Sequence, residues 1–242
     1  MDISFDERLF FYENGYLIVR DLLAPSFIEL ALDSFEQGTP PVLLSKYSTD
    51  SLQGPFLDVE QISSDSGRVI RNGFRWLDRR NVFVGWMQDG FLGNYSIKSV
   101  AASLVNCLVN QLSFEIRGIY ATLPIADRDH SQFQLTPHTD SHDFSLGVVA
   151  YLRDVKPSGG GFTVWPGTHQ CMKHAYTKTV GGEKMYDYNI LLRECLSLVD
   201  PVELAGDKGD VVFWSNRLIH GPSPNHSPST RVALLGDYFL SH

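Results

Sequence analysis

The sequence predicts a mainly β fold with helical buttresses, in which an antiparallel sandwich or barrel follows a helical first part. Two observations carry this prediction. Up to residue 112, apolar residues recur mostly at helical spacing, whereas from residue 113 onward short β-branched or aromatic runs alternate with turns rich in Gly and Pro. The length of 242 residues is enough for a sizeable core. We expect a single domain over residues 1–242, with its helical part over 1–112 and its β core over 113–242.

The helical part is predicted to begin with a helix, a strand and a second helix. Ser4 and Glu7 have the spacing of a capping box, and Gly15 ends the helix that they open. Residues 16–19 are a short apolar run with strand character. Pro25 stands where the first turn of a helix tolerates proline, and apolar residues follow it at helical spacing.

Two longer segments complete the helical part. Residues 94–112 place apolar side chains along one face, which predicts one longer helix. Residues 39–94 are rich in Ser, Gly, Pro and Asp, with aromatic residues scattered among them. We expect this segment to form an irregular surface layer or, alternatively, a lid that covers a substrate.

The β core is predicted to consist of short strands separated by strong turn signals. The turns include a Pro-Ser-Gly-Gly-Gly run and a Gly-Asp-Lys-Gly run, both typical of connections between antiparallel strands. The predicted strands cover residues 114–123, 146–152, 162–165, 210–214 and 231–239.

Composition excludes several classes of protein. Lys and Arg number 20 and Asp and Glu number 28, so the net charge is −8, opposite in sign to that of most nucleic-acid binders. No apolar run approaches the roughly 18 residues of a membrane span. The start of the sequence lacks a basic n-region, and three widely spaced cysteines suit a reducing compartment. We expect a cytoplasmic monomer or homodimer that binds a small-molecule substrate and neither nucleic acid nor membrane.

Two features of the β core are candidates for metal ligands. His138 and Asp140 are two residues apart, a spacing that puts both side chains on one face of a strand. By itself so short a pattern equally fits a His–Asp hydrogen bond at a strand end. His220 follows a strongly apolar run and precedes a rigid Gly-Pro turn, and by itself it equally fits a histidine with satisfied hydrogen bonds in the core.

Arg231 is a candidate anion-binding residue. It opens the last predicted strand, and alternation gives it the same face as Asp237. A buried arginine needs an anionic partner, because burying its charge alone is costly. The alternatives are an ion pair with Asp237 or Asp210, or a side chain that faces water.

Together these residues fit one kind of chemistry. Two imidazoles and one carboxylate form the facial triad of non-haem Fe(II) oxygenases, which leaves positions open for a 2-oxo acid and O2. The far carboxylate of 2-oxoglutarate then needs a planar cation, and arginine offers a bidentate fork. His220 and Arg231 are eleven residues apart across a proline-rich turn, which predicts that they lie on adjacent antiparallel strands.

Four segments, in order along the chain, also carry the pattern of a known family. They are residues 12–19 (YENGYLIV), His138-Thr139-Asp140, residues 159–169 (GGGFTVWPGTH), and residues 209–214 (GDVVFW) with His220-Gly221, Asn225 and Arg231. With these segments the chain resembles the phytanoyl-CoA dioxygenase-like family of Fe(II)/2-oxoglutarate-dependent oxygenases. The resemblance implies a double-stranded β-helix, the distorted jelly roll of cupin-like proteins.

The resemblance also implies residue roles. His138, Asp140 and His220 would be the catalytic iron ligands, and Arg231 would anchor 2-oxoglutarate. The family often has a serine two residues after the second metal histidine, where this chain has Pro222. The candidates to complete the anchor in its place are Ser223, Tyr120 and Thr122.

The activity implied is oxidation of a small organic metabolite, with Fe(II) as cofactor, 2-oxoglutarate and O2 as cosubstrates, and succinate and CO2 as co-products. Hydroxylation is the first expectation, and desaturation or cyclisation is the alternative. Candidate substrate contacts are Phe133, Gln134 and Tyr151, which flank the metal motif and its neighbouring strand. The rival interpretations are a cupin-like metal enzyme that does not use 2-oxoglutarate, and a non-catalytic small-molecule binding protein of the same fold.

Overall fold

The computed structural model describes residues 3–38, 58–61, 73–77, 97–125, 137–140, 144–176 and 187–240. Within these ranges the chain forms helices and two groups of antiparallel strands. The helices are α1 (Phe5–Asn14), α2 (Pro25–Gly38), α3 (Ile97–Leu104), α4 (Thr168–Met172) and α5 (Tyr188–Leu198), with 3-10 turns at Val109–Gln111 and Lys173–Tyr176. The strands are β1 (Tyr16–Val19), β2 (Asp58–Gln61), β3 (Gly73–Leu77), β4 (Leu112–Thr122), β5 (Leu146–Tyr151), β6 (Phe162–Val164), β7 (Val202–Leu204), β8 (Val211–Ser215), β9 (His220–Pro222) and β10 (Arg231–Leu240).

The strands form two sheets. The major sheet has the order β1-β8-β5-β10-β4-β3-β2, and the minor sheet has the order β7-β6-β9. Every pairing in both sheets is antiparallel. The predicted class, mainly antiparallel β with helices, is therefore confirmed, and each of the predicted strands exists within two residues of its expected bounds.

Alternation along the strands divides the core into layers. One set of side chains lies between the sheets and includes Val149, Phe162 and Trp214, all of them buried. The opposite face of the major sheet packs against the N-terminal helices through residues such as Phe27 and Phe35. Helices α4 and α5 cover the outer side of the minor sheet with a third apolar cluster. The inner layer between the two sheets is the layer that contains the candidate site.

The first helix confirms its predicted boundaries. The Ser4 hydroxyl accepts from the Glu7 backbone N–H, and the Glu7 carboxylate accepts from the Ser4 backbone N–H, which is the reciprocal capping box. Gly15 ends the helix in the left-handed conformation at φ 78°. The chain then enters β1, which pairs with β8 at the edge of the major sheet.

The structure corrects the predicted helix over residues 94–112. Within the described residues the helix covers Ile97–Leu104, and beyond it the backbone takes a left-handed conformation at Asn106, with φ 53°. Leu108 is exposed, and β4 already begins at Leu112. The apolar spacing that predicted one helix therefore spans a helix end, a 3-10 turn and the start of a strand.

The segment 39–94 contains two strands that the sequence did not predict. β2 and β3 pair with each other, and β3 pairs with β4, so both extend the edge of the major sheet. The rest of this segment lies outside the described residues, and the alternatives of a surface layer and a lid stay predictions. No helix in the described part of the chain is long and apolar enough to cross a membrane.

The predicted adjacency of the strands carrying His220 and Arg231 is wrong. His220 opens β9 in the minor sheet, whereas Arg231 opens β10 in the major sheet, between β4 and β5. The proline-rich turn between them crosses from one sheet to the other instead of forming a hairpin. Both side chains are buried.

Candidate metal centre

Three predicted ligands converge at one point. The ligand atoms of His138, Asp140 and His220 all lie within 4.8 Å of one another. The His138 and His220 backbones form an isolated antiparallel bridge with two hydrogen bonds of 2.9 Å each. Asp140 Oδ2 is 3.4 Å from His220 Nε2, and Asp140 and His220 are buried. This donor set, two imidazoles and one carboxylate grouped on one side, is the facial arrangement that suits Fe(II).

His220 is held in the form that binds a metal. Its Nδ1 donates to the Leu218 backbone carbonyl at 3.0 Å, because a carbonyl oxygen can only accept. The lone pair therefore remains on Nε2, the nitrogen that faces Asp140. Burial lowers the pKa of His220 to about 4, so the ring is neutral at pH 7.

A cation that the sequence analysis missed stands beside Asp140. Arg117 donates from Nη1 and Nη2 to the two carboxylate oxygens of Asp140, at 3.3 and 3.0 Å. Burial works against ionisation of Asp140, yet His220 and Arg117 together hold its pKa below the ordinary value. Since His220 is neutral near pH 7, Arg117 supplies the positive charge there. Asp140 is therefore an ionised carboxylate, as a metal ligand must be.

The backbone between the two N-terminal ligands is fixed by α5. The Thr139 backbone N–H donates to the Tyr188 hydroxyl at 3.0 Å. Asp187 caps the helix by accepting from two backbone N–H groups of its first turn, and this cap fixes the start of α5. Nothing in the local sequence around Tyr188 indicated this role, because the contact spans 49 residues.

Arg231 lies deep between the sheets. The residue is 2% exposed, and its Nε and Nη2 have no hydrogen-bond partner among the described residues. The two predicted ion-pair partners are used elsewhere, since Asp237 accepts from Arg117 and Asp210 accepts from Arg20. The Arg231 guanidinium lies 5.6 Å from the centre of the Tyr151 ring. Burial lowers the pKa of Arg231 from its ordinary value, but a guanidinium stays protonated and still requires an anion.

The three candidates to complete the anchor occupy different positions. Thr122 pairs directly with Arg231, and its buried hydroxyl has no partner among the described residues. Tyr120 pairs with Ala233, two residues further along the same face. The Ser223 hydroxyl hydrogen-bonds Thr163, which lies opposite Gly221 and so faces away from His220. Thr122 and Tyr120 accordingly share the face of Arg231, and Ser223 points to the other side of the minor sheet.

The candidate substrate contacts are only partly described. Tyr151 is fully buried, and its hydroxyl donates to the Leu204 carbonyl at 2.6 Å and accepts from the Phe162 N–H at 3.2 Å. This hydroxyl therefore links the major sheet to the minor sheet. Phe133 and Gln134 lie outside the described residues, and their role stays a prediction.

The contacts of Tyr151 connect Arg231 with the group formed by His138, Asp140 and His220. Arg231 packs over the Tyr151 ring, and the Phe162 backbone donates to the Tyr151 hydroxyl. The Phe162 ring in turn stacks on His220, with ring centres 5.2 Å apart. The buried cation and the metal ligands thus belong to one inner layer, although they come from different sheets.

Comparisons with known proteins find related sequences. The family model described as Phytanoyl-CoA dioxygenase (PhyH) matches residues 11–233. The mouse (Mus musculus) protein named phytanoyl-CoA dioxygenase, peroxisomal, is 24% identical over 250 residues, covering 96% of this chain and 67% of the mouse chain.

Solved structures give the fold. The non-haem alpha-ketoglutarate-dependent carbocyclase SnoK from nogalamycin biosynthesis matches with a TM-score of 0.64 at 17% identity, over 99% of this chain and 84% of that chain. The epimerase SnoN, in complex with Fe3+, alpha ketoglutarate and nogalamycin RO, matches with a TM-score of 0.61 at 15% identity, over 97% and 82% of the two chains. The fold is the cupin-like double-stranded β-helix, as the resemblance implied.

Proposed function

The chain belongs to the phytanoyl-CoA dioxygenase family, and on that premise we propose that it is an Fe(II)- and 2-oxoglutarate-dependent dioxygenase. Its substrate would be a small organic metabolite, and succinate and CO2 would be its co-products. Iron would be held by His138, Asp140 and His220. Bound Fe(II), together with 2-oxoglutarate, would supply the activation of O2 that amino-acid side chains cannot supply.

The observation that carries this proposal is the unpaired buried guanidinium of Arg231. An arginine at 2% exposure with two nitrogens lacking partners among the described residues is stable only if an anion joins it. The far carboxylate of 2-oxoglutarate has the charge and the bidentate geometry for this position. The free hydroxyl of Thr122, directly across the strand pair, can donate to the same carboxylate. A cupin-like enzyme that does not use 2-oxoglutarate leaves both groups without a purpose.

The protein's own contribution is geometry and exclusion of water. Phe162 stacks on His220, and Trp214 lies behind both with its ring centre 5.6 Å from that of His220. These rings are buried and keep bulk water from the inner side of the ligand set. Arg231, Tyr120 and Thr122 would orient the cosubstrate, and the more open side near His138 would admit the substrate.

The substrate class follows from the relatives in general terms. The mouse relative is named for a CoA thioester, whereas the two structural neighbours are named as a carbocyclase and an epimerase of nogalamycin biosynthesis. The names of the two structural neighbours share alpha ketoglutarate, and the three names denote different reactions. For this chain we infer hydroxylation of a natural-product intermediate, with desaturation or cyclisation as the alternative outcome.

The test is anaerobic formation of the complex between Fe(II), 2-oxoglutarate and protein. We expect the wild type to give a visible metal-to-ligand charge-transfer band. Arg231→Ala should require at least about 100-fold more 2-oxoglutarate for the same band, because it removes a buried charge-assisted pair of hydrogen bonds. Arg193→Ala is the control, since Arg193 is an arginine on the surface of α5. Asp140→Ala, which removes a ligand, should lose the metal itself.

Each alternative predicts a different result. Bound iron without a charge-transfer band in the wild type would contradict the use of 2-oxoglutarate and favour the cupin-like enzyme. Failure of the wild type to bind Fe(II) would favour a non-catalytic binding protein. An unchanged 2-oxoglutarate requirement in Arg231→Ala would remove that residue from the anchor.

A further inference from the structure

Arg117 reaches the metal centre because of an irregularity in β4. Leu235 of β10 pairs with Gly118, whereas the next residue, Gly236, pairs with Ile116. Arg117 is thus one extra residue in β4, and Gly118 beside it has a positive φ of 128°. This is a β-bulge, and it changes which face the following residues take. Without the bulge, alternation would give Arg117 the face of Ile119, which packs against the helices.

The bulge places Arg117 in a position that is fixed on several sides. Its Nε and Nη2 donate to the two oxygens of Asp237, at 2.6 and 2.8 Å. Its guanidinium lies 5.2 Å from the centre of the Phe144 ring and 6.0 Å from the Trp214 ring. Asp237 is 3% exposed and lies on β10, in the middle of the major sheet. Arg117 is therefore oriented by a carboxylate on the central strand of the major sheet.

Among the described residues, Asp140 is held by side-chain contacts and by the neighbouring Thr139–Tyr188 hydrogen bond, and it belongs to no strand of either sheet. It lies outside the named strands, and the last sheet-like contact before it is the isolated bridge at His138. A carboxylate in such a segment can rotate, and its orientation depends on what it contacts. Arg117 contacts both oxygens, at 3.3 and 3.0 Å. Each carboxylate oxygen has further lone-pair capacity, so these bonds leave Asp140 able to ligate a metal.

We propose that Arg117 is a positioning residue that fixes the Asp140 carboxylate in its metal-binding orientation, with Asp237 fixing Arg117 in turn. The inference rests on the proposed function in that it takes Asp140 as a metal ligand. Arg117 also balances charge, because it stands between two buried carboxylates that would otherwise repel each other. Through the hydrogen bonds from Arg117 to Asp237 and to Asp140, the major sheet thereby fixes the orientation of a proposed ligand that lies outside it.

The test measures Fe(II) affinity in protein free of 2-oxoglutarate, by anaerobic calorimetry. Removing Arg117 alone would leave Asp237 buried without its partner, so the main variant is the double substitution Arg117→Met/Asp237→Asn, which keeps the charge balance. We expect its Fe(II) affinity to fall by about 10- to 100-fold, the usual effect of losing a residue that orients a ligand, while circular dichroism of the metal-free variant checks that the fold is kept. Arg117→Lys keeps the charge and loses the bidentate fork, and it should also bind Fe(II) more weakly.

The matched control is Arg20→Met. Arg20 also donates to a buried aspartate, Asp210, but that pair lies at the turn before β8. We expect its Fe(II) affinity to equal that of the wild type. Equal affinity in the Arg117 variants and the wild type would overturn the inference, and so would an equal loss in the control.

Adding 2-oxoglutarate after the Fe(II) titration separates this inference from the proposed function. A wild type that binds Fe(II) but gives no charge-transfer band would refute the proposed use of 2-oxoglutarate. In that case weaker Fe(II) binding in the Arg117 variants would still establish the role of Arg117. A normal band in the wild type together with unchanged Fe(II) affinity in the variants would support the proposed use of 2-oxoglutarate and refute the role of Arg117.

Discussion

The folded protein holds His220 neutral and in one tautomer. The ring is 4% exposed, one nitrogen is committed to the Leu218 carbonyl, and burial lowers its pKa from 6.5 to about 4. A histidine with a lowered pKa binds its proton more weakly in the folded state than in the unfolded chain. Stability that is fully present above pH 6.5 is therefore lost as the pH falls toward 4.

This shift predicts an acid destabilisation of the metal-free protein. Between pH 7 and pH 5, His220 should lower the free energy of unfolding by about 2 kcal/mol, because the unfolded chain takes up its proton first. Urea denaturation of the metal-free protein at the two pH values measures the change. His220→Asn, whose amide can still donate to Leu218, should lose less stability over the same interval.

The control for this prediction is His226→Gln. The His226 side chain is exposed, and this substitution serves as the comparison for replacing a histidine outside the candidate site. Burial also lowers the pKa of His169, but that residue is present in all three proteins and its effect cancels in the comparison. Identical pH dependence in His220→Asn and the wild type would contradict a neutral, buried His220.

Among the secondary-structure elements, the sequence predicted the strands of the core and three residues that converge at the candidate site, but not how Arg117 reaches them. Alternation in β4 gives the correct faces for Ile119 and Tyr120. At the bulge around Arg117 the alternation is interrupted, so the residues before it take the opposite faces from those that alternation predicts. Gly118 within a strand was the available signal, because glycine inside a strand often marks a bulge. Which neighbouring residue would turn inward depends on the pairing with β10, more than 110 residues away, and local pattern does not contain that information.

Long-range pairing also explains why the strands of His220 and Arg231 were wrongly predicted to be adjacent. Eleven residues and a proline-rich turn fit a hairpin, yet the turn crosses between sheets because β9 pairs with β6. The predicted convergence of His138, Asp140 and His220 did not depend on this adjacency, since it was based on residue type and chemistry. In a sandwich, residues on facing strands of two sheets meet as readily as residues on adjacent strands.

The contact between the end of α1 and the turn before α4 predicts different effects of alanine at two glycines. Gly15 has φ 78°, and a Cβ there would lie 2.5 Å from His169 Nδ1. Gly167 has nearly the same φ, 77°, and its Cβ would meet only the Glu13 carbonyl oxygen at 3.4 Å. Gly167→Ala should therefore cost about 1 kcal/mol of stability from the left-handed backbone alone, and Gly15→Ala should cost about 3 kcal/mol because steric overlap is added.

Urea denaturation of the two variants tests this difference. The end of α1 is held against the turn before α4 by the Gly167 N–H, which donates to the Asn14 carbonyl, and by His169, whose ring hydrogen-bonds the Tyr12 carbonyl. Displacing His169 should loosen both contacts in Gly15→Ala only. Equal losses in the two variants would show that steric overlap with His169 has no effect.

For the whole molecule, the candidate site depends on the spacing of two sheets. Arg231 and the β4 residues come from the major sheet, whereas His220 comes from the minor sheet. Because no strand in the described part of the chain belongs to both sheets, the layer between the sheets helps to set their relative position. A polar link across that layer is the Tyr151 hydroxyl, which joins β5 to both β6 and β7 through the Phe162 N–H and the Leu204 carbonyl.

Tyr151→Phe should show how much this link stabilises the molecule. The substitution keeps the ring under Arg231 but leaves a buried N–H and a buried carbonyl without their partner, so we expect the free energy of unfolding to fall by about 1–3 kcal/mol. Tyr238→Phe is the matched control, because the Tyr238 hydroxyl is buried and has no hydrogen-bond partner among the described residues. Removing that hydroxyl should leave stability unchanged or raise it slightly. Equal losses for the two variants in urea denaturation would contradict this role, because they would show that the hydrogen bonds of the Tyr151 hydroxyl add nothing to the stability of the molecule.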